Sequence, residues 1–384
     1  MNFEGSINNK LSQSGPSVFS VMTALANEHK AINLAQGFPD FDCNPDLKKM
    51  VESAMGKGLN QYAPMPGVMC LREKIAQKTQ LLYSATYNPD TEITVVPGAT
   101  LGIYAAITAL VKDNDEVIII EPAYDSYIPA VELAGGKAIV YEMQFPDYSI
   151  DWNQLKKLLN IKTRMIIINT PHNPSGAILS AEDLQKLEKL VHGTDVIILS
   201  DEVYEHIIFD GFEHQSVARY PRLASRSVVV SSFGKTYHTT GWKMGYLLAP
   251  ANIMAQIRKV YQFMAFAANT PIQHAYAEIL DRQDLFLELG QFYQNKRDQF
   301  RHGLKGSKLK LLACNGSYFQ LLSYDKVSDM GDVDMAHWLT KEKGLACIPV
   351  SAFYKRKTDH KVLRFCFAKS EETLNKATDI LCNL

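Results

Sequence analysis

Length, composition and charge describe an ordinary globular chain and exclude several classes of protein. The chain has 384 residues, of which 46% are hydrophobic and 21% are charged, so it is long enough for two or three domains with large cores. Its formal net charge is −1, and this lack of a basic surplus argues against binding to DNA, RNA or an anionic membrane surface.

Cysteine usage and the amino-terminal residues favour a reducing, cytoplasmic setting. The six cysteines are scattered and include no CxxC pair, which predicts reduced core residues rather than a disulfide framework or a metal site. The first 17 residues have neither the basic nor the apolar region of a signal peptide. Apolar runs such as "VIII" are too short to cross a bilayer, so we expect a cytoplasmic protein.

The predicted elements begin with a polar arm and a helix, and then alternate. About the first 16 residues are polar, and residues 17–30 show the apolar spacing of a helix. From about residue 90, short β-branched runs alternate with helical segments. These runs cover residues 92–97, 115–122, 137–143, 164–171, 195–202, 227–233 and 244–250. Continuous apolar runs are typical of strands buried on both faces, so they predict an α/β domain with a mainly parallel seven-stranded sheet between helices.

The carboxyl-terminal part has a looser pattern. After about residue 270, strand-like segments occupy residues 308–315, 316–324, 344–350 and 361–368, with helices between and after them. This predicts a smaller α+β domain. We therefore divide the chain into an arm and helix that pack with the small domain (1–44), a large domain (45–270) and a small domain (271–384).

Polar clusters follow five of the predicted strands. They are "PGAT" (97–100), "EPAYDSY" (121–127), "NTPHNPSG" (169–176), "SDEVYEH" (200–206) and "SSFGKT" (231–236). The carboxyl ends of parallel strands meet at one edge of a sheet, where α/β proteins bind their ligands. The five clusters therefore predict one shared cleft.

The segment "SSFGKTYHTTGWKMGY" (231–246) places two lysines among small and hydroxylated residues. Its "GKT" resembles the end of a P-loop, but that motif requires glycine where this chain has Val229, and the chain contains no GxGxxG fingerprint. A buried lysine at a strand end can have a lowered pKa and attack carbonyl groups. We therefore interpret Lys235 as a catalytic amine, and an aldehyde cofactor held in this way is pyridoxal phosphate.

That cofactor needs an acid at its ring nitrogen, a donor at its ring oxygen, an aromatic side chain on its ring and a cup for its phosphate. The sequence offers a candidate for each need. They are Asp201, Tyr204, Tyr124, and the turn Gly98–Ala99–Thr100 together with Ser232 and Lys243. No metal is expected.

The order and spacing of several motifs identify a family. They are "INLAQGFPDF" (32–41), "NQYAPMPG" (60–67), "NTPHNPSG", "SDEVYEHI" (200–207), "SSFGKTYHTTGWKMGY" and "LRFCFAK" (363–369). With them the chain resembles, over nearly its whole length, the fold-type I, class I/II pyridoxal-phosphate aminotransferases. The likeness is greatest to the methionine, glutamine–phenylpyruvate and kynurenine aminotransferases. It implies the PLP-dependent transferase fold of type I.

The resemblance implies roles at the cofactor ring. Lys235 would hold the cofactor covalently and, once released, would move the substrate Cα proton. Asp201 would pair with the ring nitrogen, and Tyr204 and Asn173 would contact the ring oxygen. Tyr124 would stack on the ring. On residues alone, "NPSG" is also a good turn, and a strand running into "DE" can mean only a strand end and a helix cap, a role better suited to the adjacent glutamate.

The resemblance also implies residues for the phosphate and for the substrate. The phosphate residues are Gly98, Ala99, Thr100, Ser232, Lys243 and, reaching from the other subunit, Tyr62. The substrate residues are Arg364 and Gly37 with Asn173 at the α-carboxylate, and Phe19, Phe38 and the partner chain's Phe266 with Tyr62 and Tyr124 around the side chain. Arg364 could instead form a buried ion pair, and Phe19 and Phe266 could be core residues.

The predicted function is a homodimeric aminotransferase with an active site shared between subunits. It would move the amino group of a neutral bulky amino acid, such as methionine, glutamine, an aromatic amino acid or kynurenine, to a 2-oxo acid by a ping-pong mechanism. One alternative is a pyridoxal-phosphate-dependent carbon–sulfur β-lyase acting on cysteine conjugates. Another is a non-catalytic cofactor-sensing module, which the intact set of cofactor residues disfavours.

Overall fold

The structure is a computed structural model that describes residues 1–2, 5–11 and 15–384, so part of the predicted polar arm lies outside it. The helices are α1 (Val18–Glu28), α2 (Pro45–Gly56), α3 (Met69–Tyr83), α4 (Ala99–Leu110), α5 (Tyr127–Leu133), α6 (Trp152–Lys156), α7 (Ala181–Val191), α8 (Pro221–Ala224), α9 (Phe233–Thr236), α10 (Ala251–Met264), α11 (Thr270–Ile279), α12 (Asp284–Leu287), α13 (Leu289–Gly303), α14 (Asp332–Lys343) and α15 (Glu371–Cys382). Short 3₁₀ turns cover Val217–Arg219, Thr240–Trp242 and Val350–Phe353.

The strands are β1 (Ile32–Asn33), β2 (Ile93–Val96), β3 (Glu116–Glu121), β4 (Lys137–Glu142), β5 (Thr163–Asn169), β6 (Ile197–Asp201), β7 (Ser227–Ser232), β8 (Gly245–Leu248), β9 (Lys310–Leu311), β10 (Phe319–Ser323), β11 (Leu345–Ala346), β12 (Ile348–Pro349) and β13 (Val362–Cys366). Seven of them form one sheet in the order β2-β8-β7-β6-β5-β3-β4. Six of these strands run in the same direction, and β8 alone runs in the opposite direction. The prediction of a mainly parallel seven-stranded sheet between helices is confirmed.

Alternation of side chains along these strands explains their continuous apolar sequence. In β3, Val117 and Ile119 belong to one buried core together with residues of α4 and α10, whereas Ile118 belongs to a second core that includes residues of α7. Successive side chains of a strand point to opposite faces. Because both faces are covered by helices, neither face can be polar.

The direction of the strands brings the predicted polar clusters together. β2, β3, β5, β6 and β7 end at the same edge of the sheet, so the residues that follow each of them lie close to one another. Lys243 joins them from the other direction, because β8 is antiparallel and begins at this edge with Gly245.

A four-stranded antiparallel sheet, in the order β12-β13-β10-β9, lies in the carboxyl-terminal part and positions Arg364. Arg364 is in β13 and lies between Leu321 of β10 and Ile348 of β12. β1 pairs in parallel with β11, and the chain then passes β13, where the Cys366 N–H donates to the Leu34 carbonyl at 2.8 Å. This pairing carries the residues after β1 towards Arg364.

Helix α1 packs with elements of the carboxyl-terminal part of the chain. The predicted domain boundaries at 44/45 and 270/271 stay predictions. Ser17 caps α1 by accepting from the Ser20 N–H, and the helix packs against α14, β11 and β12 rather than against the large sheet.

In the described residues, no helix has the length and apolar character needed to span a membrane.

A buried ion pair ties α3 to the turn after β6. Lys78 donates to the Glu205 carboxylate at 2.7 Å and to the Tyr246 hydroxyl at 2.9 Å, and Tyr83 also donates to Glu205. Lys78 and Glu205 are both buried. Removing one partner of such a pair leaves an uncompensated charge in a region of low dielectric constant.

We expect Lys78→Met to lower the free energy of unfolding by about 3–5 kcal/mol, since the Glu205 carboxylate loses its cation. Urea unfolding followed by circular dichroism measures this change. The matched control is Lys74→Met on the same helix, whose partner Asp281 is largely exposed, and it should change stability by less than about 1 kcal/mol. Equal effects of the two substitutions would contradict the prediction.

Candidate active site

A cavity of about 270 Å³ opens at the edge of the large sheet where the five polar clusters meet. Most of the residues predicted for the cofactor and the substrate line it. They are Phe19, Gly37, Gly98, Ala99, Thr100, Tyr124, Asn173, Asp201, Tyr204, Ser232, Lys235, Lys243 and Arg364.

Lys235 lies on α9, the short helix that begins directly after β7. Its Nζ donates to the Gly37 carbonyl at 3.0 Å and to the Tyr318 hydroxyl at 2.8 Å. Burial lowers the pKa of Lys235 to about 8, and the nearby cations Arg364 and Lys243 act in the same direction. At pH 7 about a tenth of this side chain is therefore an uncharged amine, which is the nucleophilic form and is far scarcer for an exposed lysine.

Asp201 is the last residue of β6 and is buried beside the cavity. Burial raises the pKa of Asp201 to about 6, while the Tyr127 hydroxyl, which donates to its Oδ2 at 2.5 Å, opposes that rise. The backbone is fixed as well, because the Asn169 side chain donates to the Asp201 carbonyl at 2.9 Å. The adjacent Glu202 turns away and accepts from the Val217 N–H.

The amino terminus of α4 forms a place for an anion. The helix starts at Ala99 after Gly98, and no side chain caps it, so its first N–H groups keep their hydrogen-bonding capacity. Gly98 has φ of +84°, and a Cβ there would lie 3.2 Å from Lys243 Nζ. The glycine therefore lets a lysine amine approach the helix end, and Thr100 and Ser232 line the same cavity.

Arg364 is fully buried, and its guanidinium lies between aromatic rings. Its central carbon is 3.9 Å from the ring centre of Phe319 and 5.2 Å from those of Phe19 and Phe353. It donates to the Asn173 side-chain oxygen and to the Ala35 carbonyl, each at 2.7 Å, and forms no ion pair with any described residue. Burial lowers its pKa to about 10.

One donor of Arg364 has no partner. Its Nε is buried and makes no hydrogen bond to the described residues. A buried donor that lacks a partner is costly unless another group satisfies it. The alternative of a buried ion pair is therefore not what the structure shows, and the free donor suits a carboxylate.

Two close approaches complete the wall. A Cβ on Gly37 would lie 2.7 Å from the Phe319 ring, so only glycine lets this segment pass the aromatic side chain and offer its carbonyl to Lys235. Tyr204 is buried, and burial raises the pKa of its phenol. Tyr124 lies 6.4 Å, between ring centres, from Phe19, which is half-buried on α1.

Three predicted residues lie away from this cavity in the single chain. Phe38 is 43% exposed, and its carbonyl accepts from Lys369, whose Nζ lies 5.1 Å from the Phe38 ring centre. This contact holds Phe38 on the outer side of the segment that contains Gly37. Tyr62 and Phe266 are exposed and contact each other, with ring centres 5.4 Å apart.

The structure also adds residues that sequence reasoning missed. Tyr318 touches the Lys235 amine, Tyr127 binds Asp201, and Phe319 and Phe353 enclose Arg364. "EPAYDSY" contains Tyr127, so its position after a strand was a usable signal. The other three lie in apolar segments that predict only core packing.

These features fit pyridoxal phosphate. Asp201 supplies a buried carboxylate and Lys235 an amine with a lowered pKa, while Lys243 lies at an uncapped helix terminus. A cationic ring nitrogen, an aldehyde and a phosphate are the groups for which those three features are suited. Arg364 lines the same cavity, and its guanidinium suits the carboxylate of a second molecule.

Comparison with known proteins agrees with this chemistry. Residues 29–381 match the family described as Aminotransferase class I and II. The chain is 48% identical to a methionine aminotransferase of Escherichia coli, over 98% of this chain and 97% of that protein. It is 36% identical to a kynurenine–oxoglutarate transaminase of Dictyostelium discoideum, over 96% and 94% of the two chains.

Solved structures show the same relationship. The structure of YbdL from Escherichia coli, reported with a methionine aminotransferase function, superposes with a TM-score of 0.97 at 48% identity and covers 99% of this chain and all of that one. An aspartate aminotransferase of Thermus thermophilus has a TM-score of 0.91 at 27% identity, with 99% of each chain covered. The chain belongs to the class I and II aminotransferases, and its cofactor is pyridoxal phosphate. The predicted family, fold, enzyme class and cofactor are confirmed.

The raised pKa of Asp201 gives a prediction for the protein without cofactor. The carboxyl has an unfolded pKa near 3.8 and a folded pKa of about 6. Well below pH 3.8 it is protonated in both states, and from there to about pH 6 the unfolded state ionises first, so stability falls as pH rises. Above pH 6 this loss, about 3 kcal/mol, is complete. Asp201→Asn should remove this pH-dependent loss. The free energy of unfolding of the variant, relative to that of the wild type, should therefore rise between pH 4.5 and pH 7.5.

Urea unfolding of both proteins, freed of cofactor, at the two pH values measures this gain. The other titrating groups are shared, so the change in the difference between the proteins isolates Asp201. A difference that is the same at pH 4.5 and at pH 7.5 would show that the folded pKa of Asp201 is not raised.

Proposed function

We propose that the amino donor is a neutral, bulky amino acid of the methionine or aromatic type and that the acceptor is a 2-oxo acid. The observation that carries this proposal is the surrounding of Arg364. It is the guanidinium of the cavity and has aromatic rings on its faces. Among the described residues that line the cavity, the other cations are Lys235 and Lys243, which we assign to the cofactor, so no cation remains for a second carboxylate.

The names of the relatives support the same substrate class. The relative at 48% identity is a methionine aminotransferase, and others are kynurenine–oxoglutarate transaminases. Methionine, glutamine, aromatic residues and kynurenine share one α-carboxylate and an uncharged side chain. Phe19 and Tyr124 offer apolar surface for such a side chain.

Arg364 orients the substrate in this proposal. Its guanidinium binds the α-carboxylate through the donors that the protein leaves available, including the unpartnered Nε. Asn173 holds the guanidinium in place, and the Gly37 segment closes over it. The α-amino group and Cα are thereby brought to the side of the cavity where Lys235 lies.

Lys235 carries the proton. Pyridoxal phosphate, when bound, supplies an aldehyde for the amino group and an electron-withdrawing ring that accepts the electrons of the Cα–H bond. The uncharged Lys235 amine would take the Cα proton and would return it to the carbon that carried the aldehyde of the bound cofactor, on the other side of the substrate nitrogen. Asp201 would keep the ring nitrogen protonated, and Tyr204 and Asn173 would hold the ring oxygen. Release of the first 2-oxo acid before the second enters makes the cycle ping-pong.

The phosphate residues anchor the cofactor away from the reacting atoms. The residues at the start of α4, including Thr100, line the cavity together with Ser232 and Lys243, and they would bind the phosphate through N–H groups, hydroxyls and an amine. Tyr124 packs on the ring. We assign Gly98 and Ala99 to the phosphate site through their backbone only.

We also propose a homodimer, located in the cytoplasm, in which each subunit completes the other's site. Tyr62 is 85% exposed and contacts Phe266, and the neighbouring Phe263 is 87% exposed. Exposed aromatic side chains such as these are costly in water and suit an interface. In the dimer, Tyr62 would reach the partner's phosphate site, and Phe266 would border the partner's substrate pocket.

The first test is a half-reaction. With methionine and no acceptor, the visible absorption band of the purified holoenzyme should be lost and a near-ultraviolet band should appear. With aspartate, the second-order rate constant of the half-reaction should be lower by about a hundredfold or more, because a second carboxylate would be buried without a cation. Stopped-flow absorbance measures both. Comparable rates with the two amino acids would contradict the proposed substrate class.

Lys235→Ala should abolish this half-reaction, whereas Lys296→Met, which changes a half-buried lysine outside the cavity, should leave it unchanged. A full rate in Lys235→Ala would refute the role of Lys235. Steady release of ammonia from cysteine conjugates without any acceptor would instead support the β-lyase.

The shared site predicts complementation between inactive chains. When Tyr62→Ala and Lys235→Ala chains are coexpressed, the hybrid dimer contains one site with both native residues, so activity should return. Coexpression of Lys235→Ala with Asp201→Asn is the matched control, because both residues belong to the same subunit's site and no native site can form. Tagged hybrids purified by two affinity steps give the measurement. Absence of recovery in the first hybrid would refute the shared site.

A further inference from the structure

Tyr318 lies directly before β10 and is fully buried behind the wall of the cavity. Its ring packs edge-on against Tyr204, with ring centres 5.0 Å apart, and against Phe319 at 4.9 Å. Tyr293 contacts it from a third side at 5.6 Å. With aromatic neighbours on these sides, the position of its hydroxyl is fixed by packing.

That hydroxyl takes part in a closed group of three hydrogen bonds. The Lys235 amine donates to the Tyr318 hydroxyl at 2.8 Å and to the Gly37 carbonyl at 3.0 Å. The Tyr318 hydroxyl itself donates to the same Gly37 carbonyl. Because the phenol uses its proton on Gly37, it can only accept from Lys235.

This arrangement determines which part of the amine remains available. An uncharged primary amine has two N–H donors and one lone pair. The Gly37 carbonyl and the Tyr318 hydroxyl together engage both donors, so the lone pair is the remaining hydrogen-bonding position. A base needs its lone pair free and its position constrained.

Packing alone does not account for the hydroxyl. Tyr293 lies in the same aromatic group and is equally buried, and its own hydroxyl has no partner among the described residues. The group therefore tolerates a tyrosine without a hydrogen bond. Of these two neighbouring phenols, the one that meets the catalytic amine is Tyr318.

We propose that Tyr318 is a positioning residue for proton transfer: together with the Gly37 carbonyl, it holds the free Lys235 amine by both N–H groups and leaves the lone pair for the substrate proton. This proposal rests on the proposed role of Lys235. It assigns Tyr318 to the reaction although it lies outside the lining of the cavity.

The hydrogen bond from Tyr318 to the Gly37 carbonyl also connects the amine to the substrate side of the cavity. Gly37 belongs to the segment that closes over Arg364, and its carbonyl accepts from both Lys235 and Tyr318. The same phenol therefore fixes the amine relative to the segment that covers the substrate carboxylate. The distance between the base and the bound substrate depends on this contact.

The test compares Tyr318→Phe with Tyr293→Phe, which removes a neighbouring buried hydroxyl that has no partner. In the holoenzyme, Tyr318→Phe should slow the single-turnover half-reaction with methionine about tenfold or more, since one hydrogen bond to the base is lost. The isotope effect with Cα-deuterated methionine should rise, and KM should stay within about twofold. Tyr293→Phe should match the wild type in all three measurements.

A second measurement does not depend on turnover. In the full-length protein before cofactor is added, the pH dependence of Lys235 acetylation by acetic anhydride, measured by mass spectrometry of its peptide, reports the pKa of the amine. Loss of the acceptor should lower that pKa in Tyr318→Phe and not in Tyr293→Phe, because the ammonium form gains more from an acceptor than the amine does. Fluorinated tyrosine introduced at position 318, which retains the shape, should lower it as well if Tyr318→Phe does not fold.

The outcomes separate the two proposals. If Lys235→Ala is inactive but Tyr318→Phe matches the wild type in rate, isotope effect and Lys235 pKa, the role of Tyr318 is refuted and that of Lys235 stands. If Lys235→Ala keeps the full rate, the proposed function of that lysine fails, and the inference about Tyr318 fails with it.

Discussion

Three cationic side chains and one carboxylate share the cavity, and the rest of the site depends on that imbalance. Of the described residues that line it, Lys235, Lys243 and Arg364 are cations and Asp201 is the acid. Burial lowers the pKa of Lys235, the like charges of Arg364 and Lys243 lower it further, and both effects favour its amine form. A phosphate and a carboxylate relieve this repulsion when they bind. Binding of these anions therefore recovers free energy that folding gives up when it brings the cations together.

Such a site needs a rigid support, and the turn after β6 provides it. Asp201 and Tyr204 face the cavity, whereas Glu202 and Glu205 point into the protein. Glu202 accepts from the Ser200 hydroxyl at 2.7 Å and pairs with His214 at 2.8 Å. With both glutamates bound on the far side, the turn cannot rotate without breaking buried polar contacts.

The fold could be predicted from the sequence wherever periodicity is long and both faces of an element are buried. Each of the seven runs of the large sheet coincides with a strand, and the six strands other than the edge strand β4 are buried almost throughout. In the carboxyl-terminal part the predicted strand 344–350 is instead two short strands, β11 and β12, which pair with different partners, β1 and β13. Both halves are apolar, so no local signal marks the change of partner at Cys347, which only the tertiary arrangement determines.

The residues of the site also differ in whether the sequence carries a local signal for them. A polar residue after a buried strand is conspicuous, and this signal located Asp201, Asn173 and Lys235. Arg364 was conspicuous for the opposite reason, because a charge inside an apolar strand requires a partner. Tyr318 has neither signal, since tyrosine in "GSYFQLL" reads as a core residue and its hydroxyl acquires chemical meaning only where Lys235 and Gly37 meet it. A side chain whose polar atom is a single hydroxyl can satisfy packing and chemistry together, and for that reason residues of this type are the ones that sequence reasoning overlooks.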